Sequence, residues 1–283
     1  MNFSTILSEI EKLDPEVYER TSQRRDVIKN WGRKVALAAI PFAVGSLFQK
    51  AYGKGTADIL DVLNYALTLE YLEAEFYNTG ALNDYGNFTS ALQPNAAGKA
   101  ALATIGAHEN QHVAFLKAAI TGAGGTPINK PTFDLSGGNG SGTGPFAGAF
   151  SDYGLFLAVA QTLEDTGVRA YKGAAPDLMS NNDVLTAALN IHSVEARHAA
   201  HIRYMRKNLG LANVKPWITQ NQSGISPASL VADNYAGEEN TTQASINIIN
   251  IGGQSISSDA ASESFDEPLP QATVMMLVDG FIV

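Results

Sequence analysis

Four stretches of this chain repeat apolar residues at helical spacing, and each carries a glutamate on its apolar side. The first predicts a helix from Thr56, a good N-cap with Asp58 in the first turn, to about Thr79, where Gly80 ends it. Its stripe is Leu63, Ala66, Leu67, Glu70, Ala74 and Tyr77. A polar loop over 80–97 leads to a second helix, roughly Ala97 to Thr121 and closed by Gly122, with Leu102, Ile105, Glu109, His112 and Leu116 facing inward. A third begins near Ser151-Asp152 and ends near Gly173, with Leu157, Ala160, Glu164 and Tyr171 on its inner face. A fourth runs from about Asn182-Asp183 to Gly210, and Arg203, Arg206 and Lys207 stand where its C-terminal dipole favours cations.

Between the second and third helices lies a long connection, about 122–150, with glycines at 137, 138, 140, 142 and 144. No lysine follows them, so this is irregular or flexible chain and not a phosphate loop. A long link at that place fits a bundle whose halves join by a crossover. The predicted fold is all-α: a four-helix bundle with a long crossover between helices two and three, plus a mostly irregular C-terminal extension. Residues 211–264 of that extension are rich in Asn, Gln, Ser, Thr and Gly. Within it Ala244–Ile251 partly alternates and predicts a strand, and Pro268–Val283 reads as a short helix or apolar segment that packs on something. The chain divides into 1–52, 53–210 and 211–283.

Charge changes the picture at the N-terminus. Of 283 residues, the first 52 carry 8 Lys/Arg and 6 Asp/Glu, whereas the rest carry 11 and 22. The body offers no basic face to neutralise phosphates, which argues against nucleic-acid binding. There is no cysteine, so disulfides, thiolate-bound zinc and iron–sulfur centres are excluded, and any metal must be held by carboxylate and imidazole. The basic first segment holds Arg24-Arg25, then Trp31-Gly32-Arg33-Lys34 and an apolar run from Val35 to Phe48. This resembles a twin-arginine export signal, with Ala43-Val44-Gly45 nearest to a cleavage site. Export to the periplasm or cell surface is the expectation it carries. The alternative is an amphipathic helix docked on the body of a cytoplasmic protein. Neither this run nor the terminal segment is long enough to span a bilayer.

The candidate chemistry is a repeat. Ala66-Leu67-Thr68-Leu69-Glu70 and Ala160-Gln161-Thr162-Leu163-Glu164 share A-x-T-L-E, and a tyrosine follows each glutamate by seven residues, at Tyr77 and Tyr171. Helices two and four share Glu-x-x-His, at Glu109–His112 and Glu195–His198. Glu and His three apart project from nearly one helix face, so two such pairs can direct two carboxylates and two imidazoles to one point. All five histidines (108, 112, 192, 198, 201) lie in these two segments. A carboxylate on an apolar stripe is costly unless partnered, which sets this pattern apart from solvated helix charge.

The order Glu70, Glu109–His112, Glu164, Glu195–His198 resembles the ferritin-like di-iron carboxylate proteins over roughly residues 56–209. The tail segments Gly237–Gln243 and Phe265–Leu269 are similar to those of an exported branch described as ferritin-like-domain or desiccation-related proteins. The resemblance implies that Glu70, Glu109, His112, Glu164, Glu195 and His198 bind two iron or two manganese ions, with oxygen or peroxide as substrate. Tyr77 and Tyr171 are candidates both to orient a glutamate and, as oxidisable side chains on the site's face, to take part in catalysis. Glu73 lies one turn beyond Glu70, but its counterpart in the repeat is Gly167, which argues against it as an obligatory ligand. Glu75 is expected to point outward, and His108, His192 and His201 to serve behind the ligands or at the surface. Two functions compete. One is an oxidoreductase oxidising ferrous iron or consuming oxygen or peroxide. The other is a non-catalytic, stress-protective protein that uses the bundle as a scaffold. The extension is open to a second copy of the chain or to a protein partner.

Overall fold

In the computed structural model, residues 56–82, 84–85 and 88–283 are described. The twin-arginine segment and its export reading lie outside them. Four long helices dominate: α1 Thr56–Leu82, α2 Ala96–Gly122, α3 Tyr153–Ala174 and α4 Asn182–Asn208. α1 packs along α2 and α3 along α4, and the two hairpins meet through α1–α3 and α2–α4. Both hairpins are antiparallel: Asn78 meets Asn110 while Glu70 meets His112, and Asp165 meets Arg203 while Val168 meets His192. The predicted four-helix bundle with a long crossover, here residues 123–152, is what forms.

Local chemistry sets the ends. Asn95, Asp152 and Asn181 cap α2, α3 and α4 with side chains that accept from backbone N–H groups of the first turn. α4 closes at Gly210, which takes a φ of +70° while Gly210 and Leu211 donate to the carbonyls of Lys207 and Arg206. One glycine expected as a helix stop, Gly80, is not a stop. α1 continues past Gly80 to Leu82, because the missing Cβ there makes room for the rings of Tyr85 and Phe156. α3 ends at Ala174, next to the expected Gly173, and a Cβ on Gly173 would fall 1.9 Å from the carbonyl oxygen of Leu269 in the tail.

Two apolar clusters fill the bundle. One gathers Phe76, Tyr77, Tyr85, Leu102, Ile105, Phe156 and Ile202; the other gathers Ile59, Leu63, Leu67, Leu116, Ile120, Val184 and Ile191. Along every helix the conspicuous glutamate falls between residues of the first cluster and residues of the second.

The extension is mostly irregular, with short helices α5 Ala232–Tyr235, α6 Ser258–Ser262 and α7 Gln271–Val278. Of the strand expected over 244–251, only Ile246–Asn247 forms. Ala244 and Ser245 take positive φ and form the turn of a two-residue hairpin, β1 Thr242–Gln243 with β2 Ile246–Asn247, and Ile246 and Ile251 are exposed. The terminal segment does pack: α7 lies on α3, and residues 280–283 hydrogen-bond to the crossover at Thr132, Asp134 and Asn139. The crossover is itself tied down, with the Asp134 carboxylate accepting from Ser136 and Gly142. Among the described residues, no helix is long and apolar enough to cross a membrane.

Candidate metal centre

The four glutamates Glu70, Glu109, Glu164 and Glu195 are fully buried. They converge with His112 and His198 between the two apolar clusters. Ligand-type atoms fall into two groups, each within 4.8 Å: Glu70, Glu109, His112 and Glu195, and Glu109, Glu164, Glu195 and His198. Glu109 and Glu195 belong to both groups. The Nδ1 of His112 lies 3.1 Å from Glu70, 3.0 Å from Glu109 and 3.2 Å from Glu195. The Nδ1 of His198 lies 2.8 Å from Glu109 and 3.2 Å from Glu164. All six residues singled out in the sequence are thus brought to one place.

The tyrosines complete the frame. Tyr77 Oη donates to Glu164 at 2.5 Å, and Tyr171 Oη donates to Glu70 at 2.5 Å. Each therefore orients the carboxylate of the opposite half.

Part of the cluster is left without a well-formed hydrogen bond. Both oxygens of Glu195 and Oε1 of Glu109 are buried and accept none, and their nearest protein groups are imidazoles, with His112 Nδ1 3.2 Å from Glu195 Oε1 and His198 Nδ1 2.8 Å from Glu109 Oε1. Leaving a carboxylate so placed costs on the order of several kcal/mol unless a cation or proton compensates it. Titration reflects the same crowding. Burial, and then neighbouring carboxylates, push Glu109 up to about 7 and Glu195 well above the usual range. Burial disfavours charge on the imidazoles, yet hydrogen bonds and charges of the carboxylates outweigh it, raising His198 to about 10 and His112 well above its ordinary value. An all-oxygen-and-nitrogen donor set of this composition, with unsatisfied carboxylates at its centre, fits iron or manganese.

The other sequence candidates separate clearly. Glu73 is buried near Glu195, since a Cβ on Gly167 would lie 3.1 Å from an oxygen of each, but it joins neither ligand group. Burial and then the charge of Glu195 hold its carboxyl well above the usual range. Glu75 points outward to Lys130 at 2.6 Å. His192 bonds the Val168 carbonyl, and His201 is exposed. His108 contacts the site from behind, with Nδ1 3.0 Å from Nε2 of His198, and burial and the nearby imidazoles lower its pKa.

A buried polar stripe on the other side of α3 was not singled out in the sequence. Asp165 accepts from Arg203 and Tyr235, Gln161 bonds Arg206, Ser223 and Tyr235, and Arg169 pairs with Glu238 at 2.7 Å. Arg203 and Arg206, expected to complement the dipole at the end of α4, are buried and hold this stripe. The i, i+4, i+8 spacing of Gln161, Asp165 and Arg169 was the available signal.

Residues 58–208 match the family model of the ferritin-like domain. No curated protein and no solved structure matches the chain.

Proposed function

The chain belongs to the ferritin-like domain family, and from that premise we propose that it is a dinuclear iron or manganese oxidoreductase, oxidising ferrous iron or consuming oxygen or peroxide. Glu70 and His112 would hold one ion, Glu164 and His198 the other, and Glu109 and Glu195 would lie between them. The observation that supports this most is the set of buried, unpartnered oxygens on Glu195 and Glu109, facing two imidazoles. Four carboxylates balance two divalent charges and favour the higher oxidation state. A bound pair of such ions can supply two electrons to oxygen or peroxide without releasing a one-electron product.

The chain's own residues bind and orient. Tyr77 and Tyr171, the oxidisable side chains in contact with the cluster, hold Glu164 and Glu70. The two apolar clusters keep bulk water away. Burial and the charge of Glu195 hold the Glu73 carboxyl above its usual range. The reading includes export through the twin-arginine route, for which Arg24-Arg25 and the apolar run after them are the support.

Metal content by mass spectrometry tests the centre. About two iron or manganese ions per chain are expected in the wild type, and loss of both in Glu195→Ala/His198→Ala. Oxygen and peroxide consumption would then follow the metal. A folded wild-type protein that binds neither metal, even after anaerobic loading, would overturn the reading and leave the scaffold function in its place.

A further inference from the structure

The two halves of the bundle correspond residue for residue around the site: Glu70 with Glu164, Tyr77 with Tyr171, Glu109 with Glu195, His112 with His198. The correspondence breaks one residue before each Glu-x-x-His. The first half has His108 there and the second half has Val194. His108 meets His198 on the far side of its ring, Nδ1 to Nε2 at 3.0 Å, while Nδ1 of His198 faces Glu109 and Glu164. By the pseudo-twofold relation, Val194 stands to His112 as His108 stands to His198, and valine offers no hydrogen bond. Among the described residues, His112 makes its polar contacts through Nδ1 alone.

We propose that the two metal positions are inequivalent, and that His108 is the positioning residue that makes the Glu164/His198 position the tighter one and the first to fill with a divalent transition-metal ion. This rests on the reading of the cluster as a metal centre. A histidine that binds metal through Nδ1 must carry its proton on Nε2. His108 accepts that proton's hydrogen bond, which fixes the tautomer, holds the ring's orientation and makes Nδ1 a better donor. His112 must settle its tautomer and ring angle when the ion arrives. Loss of such a supporting hydrogen bond weakens metal affinity by roughly 10–100-fold. Glu73, another break in the repeat, lies beside Glu195, which both positions share, so it does not separate them.

Shared carboxylates couple the two binding events, so even a symmetric centre would titrate in two steps. The test therefore has to resolve the positions. Crystals of the full chain, freed of metal and given one equivalent of cobalt(II), would be examined by anomalous scattering. Stronger density is expected at Glu164/His198 in the wild type. His108→Ala should remove the preference, and in solution should weaken the first binding step about 10–100-fold. His108→Asn, whose carbonyl can accept the same hydrogen bond, should restore much of it. Val194→His should move density toward Glu70/His112, independently of whether the alanine variant folds well. Equal occupancy in the wild type, or a preference unchanged by His108→Ala and Val194→His, would overturn the inference while leaving the metal centre intact. Absence of cobalt from both positions in the wild type would instead overturn the metal centre, and this inference with it.

Discussion

Tyr77 and Tyr171 do not serve the glutamates they follow in sequence. Seven residues of helix carry a side chain about 10.5 Å along the axis, beyond reach of its own glutamate's carboxylate. Because α1 and α3 run in opposite directions, each tyrosine arrives level with the other helix's glutamate instead. Neither half can therefore set its own carboxylate. The protons at this centre carry a consequence for stability. In the folded protein Glu109 is raised from 4.5 to about 7 and His198 from 6.5 to about 10. For both groups the folded chain retains a proton that the unfolded chain releases as pH rises. The sign is therefore the same for both: their contribution is present at lower pH and is lost as pH climbs through the folded pKa. The melting temperature of metal-free protein should fall between about pH 6 and about pH 8, and fall less in Glu109→Gln. Metal must displace these protons, so loaded protein should lose or reverse that slope. A melting temperature of the metal-free wild type that rises across this range would contradict the argument.

At the scale of elements, α3, like the middle of α1, is buried nearly all round. One face meets the bundle and the opposite face meets the extension. Across that second face Arg169 pairs with Glu238 and donates to carbonyls of Asn234, Ala236 and Glu267. Glu238 in turn accepts from the Glu267 backbone, so both tail segments singled out by resemblance meet at one arginine. Arg169→Ala would leave Glu238 buried and unpaired, a loss of about 3–5 kcal/mol in comparable cases. Limited proteolysis should then cut residues 211–283 much faster than in the wild type; equal resistance would show that the arginine does not hold the tail. The four helices and the residues converging on the centre were legible because period and burial agree there: Glu70, Glu109, Glu164 and Glu195 each occupy a stripe position. The docking of the tail was not legible. Nothing near Gln161, Asp165 and Arg169 in sequence tells that a segment far along the chain covers them. Gly80 reads as a helix stop for a similar reason, since a glycine kept for a close approach looks the same in sequence as one kept for a turn. Ala244–Ile251 has a strand's alternation but meets no partner edge beyond its own hairpin.

For the whole molecule, charge and topology point to how it is handled. Beyond residue 52 the chain carries twice as many acidic as basic residues, and the basic excess is confined to the first segment. If that segment directs export, Arg24→Lys/Arg25→Lys should keep the protein inside the cell, read by fractionation and immunoblot. An unchanged distribution would remove the export reading and leave the metal centre untouched. The dependence of α3 on the extension also imposes an order in time. Residues 211–283 are synthesised after the bundle they cover, so a nascent chain presents Gln161, Asp165 and Arg169 to water until the tail has followed. Leu269 must then reach Gly173, and residues 280–283 must reach the crossover. The third helix thus acquires its final surroundings only late in synthesis, and a chain cut after residue 210 would hold four helices with one of them still unsheltered.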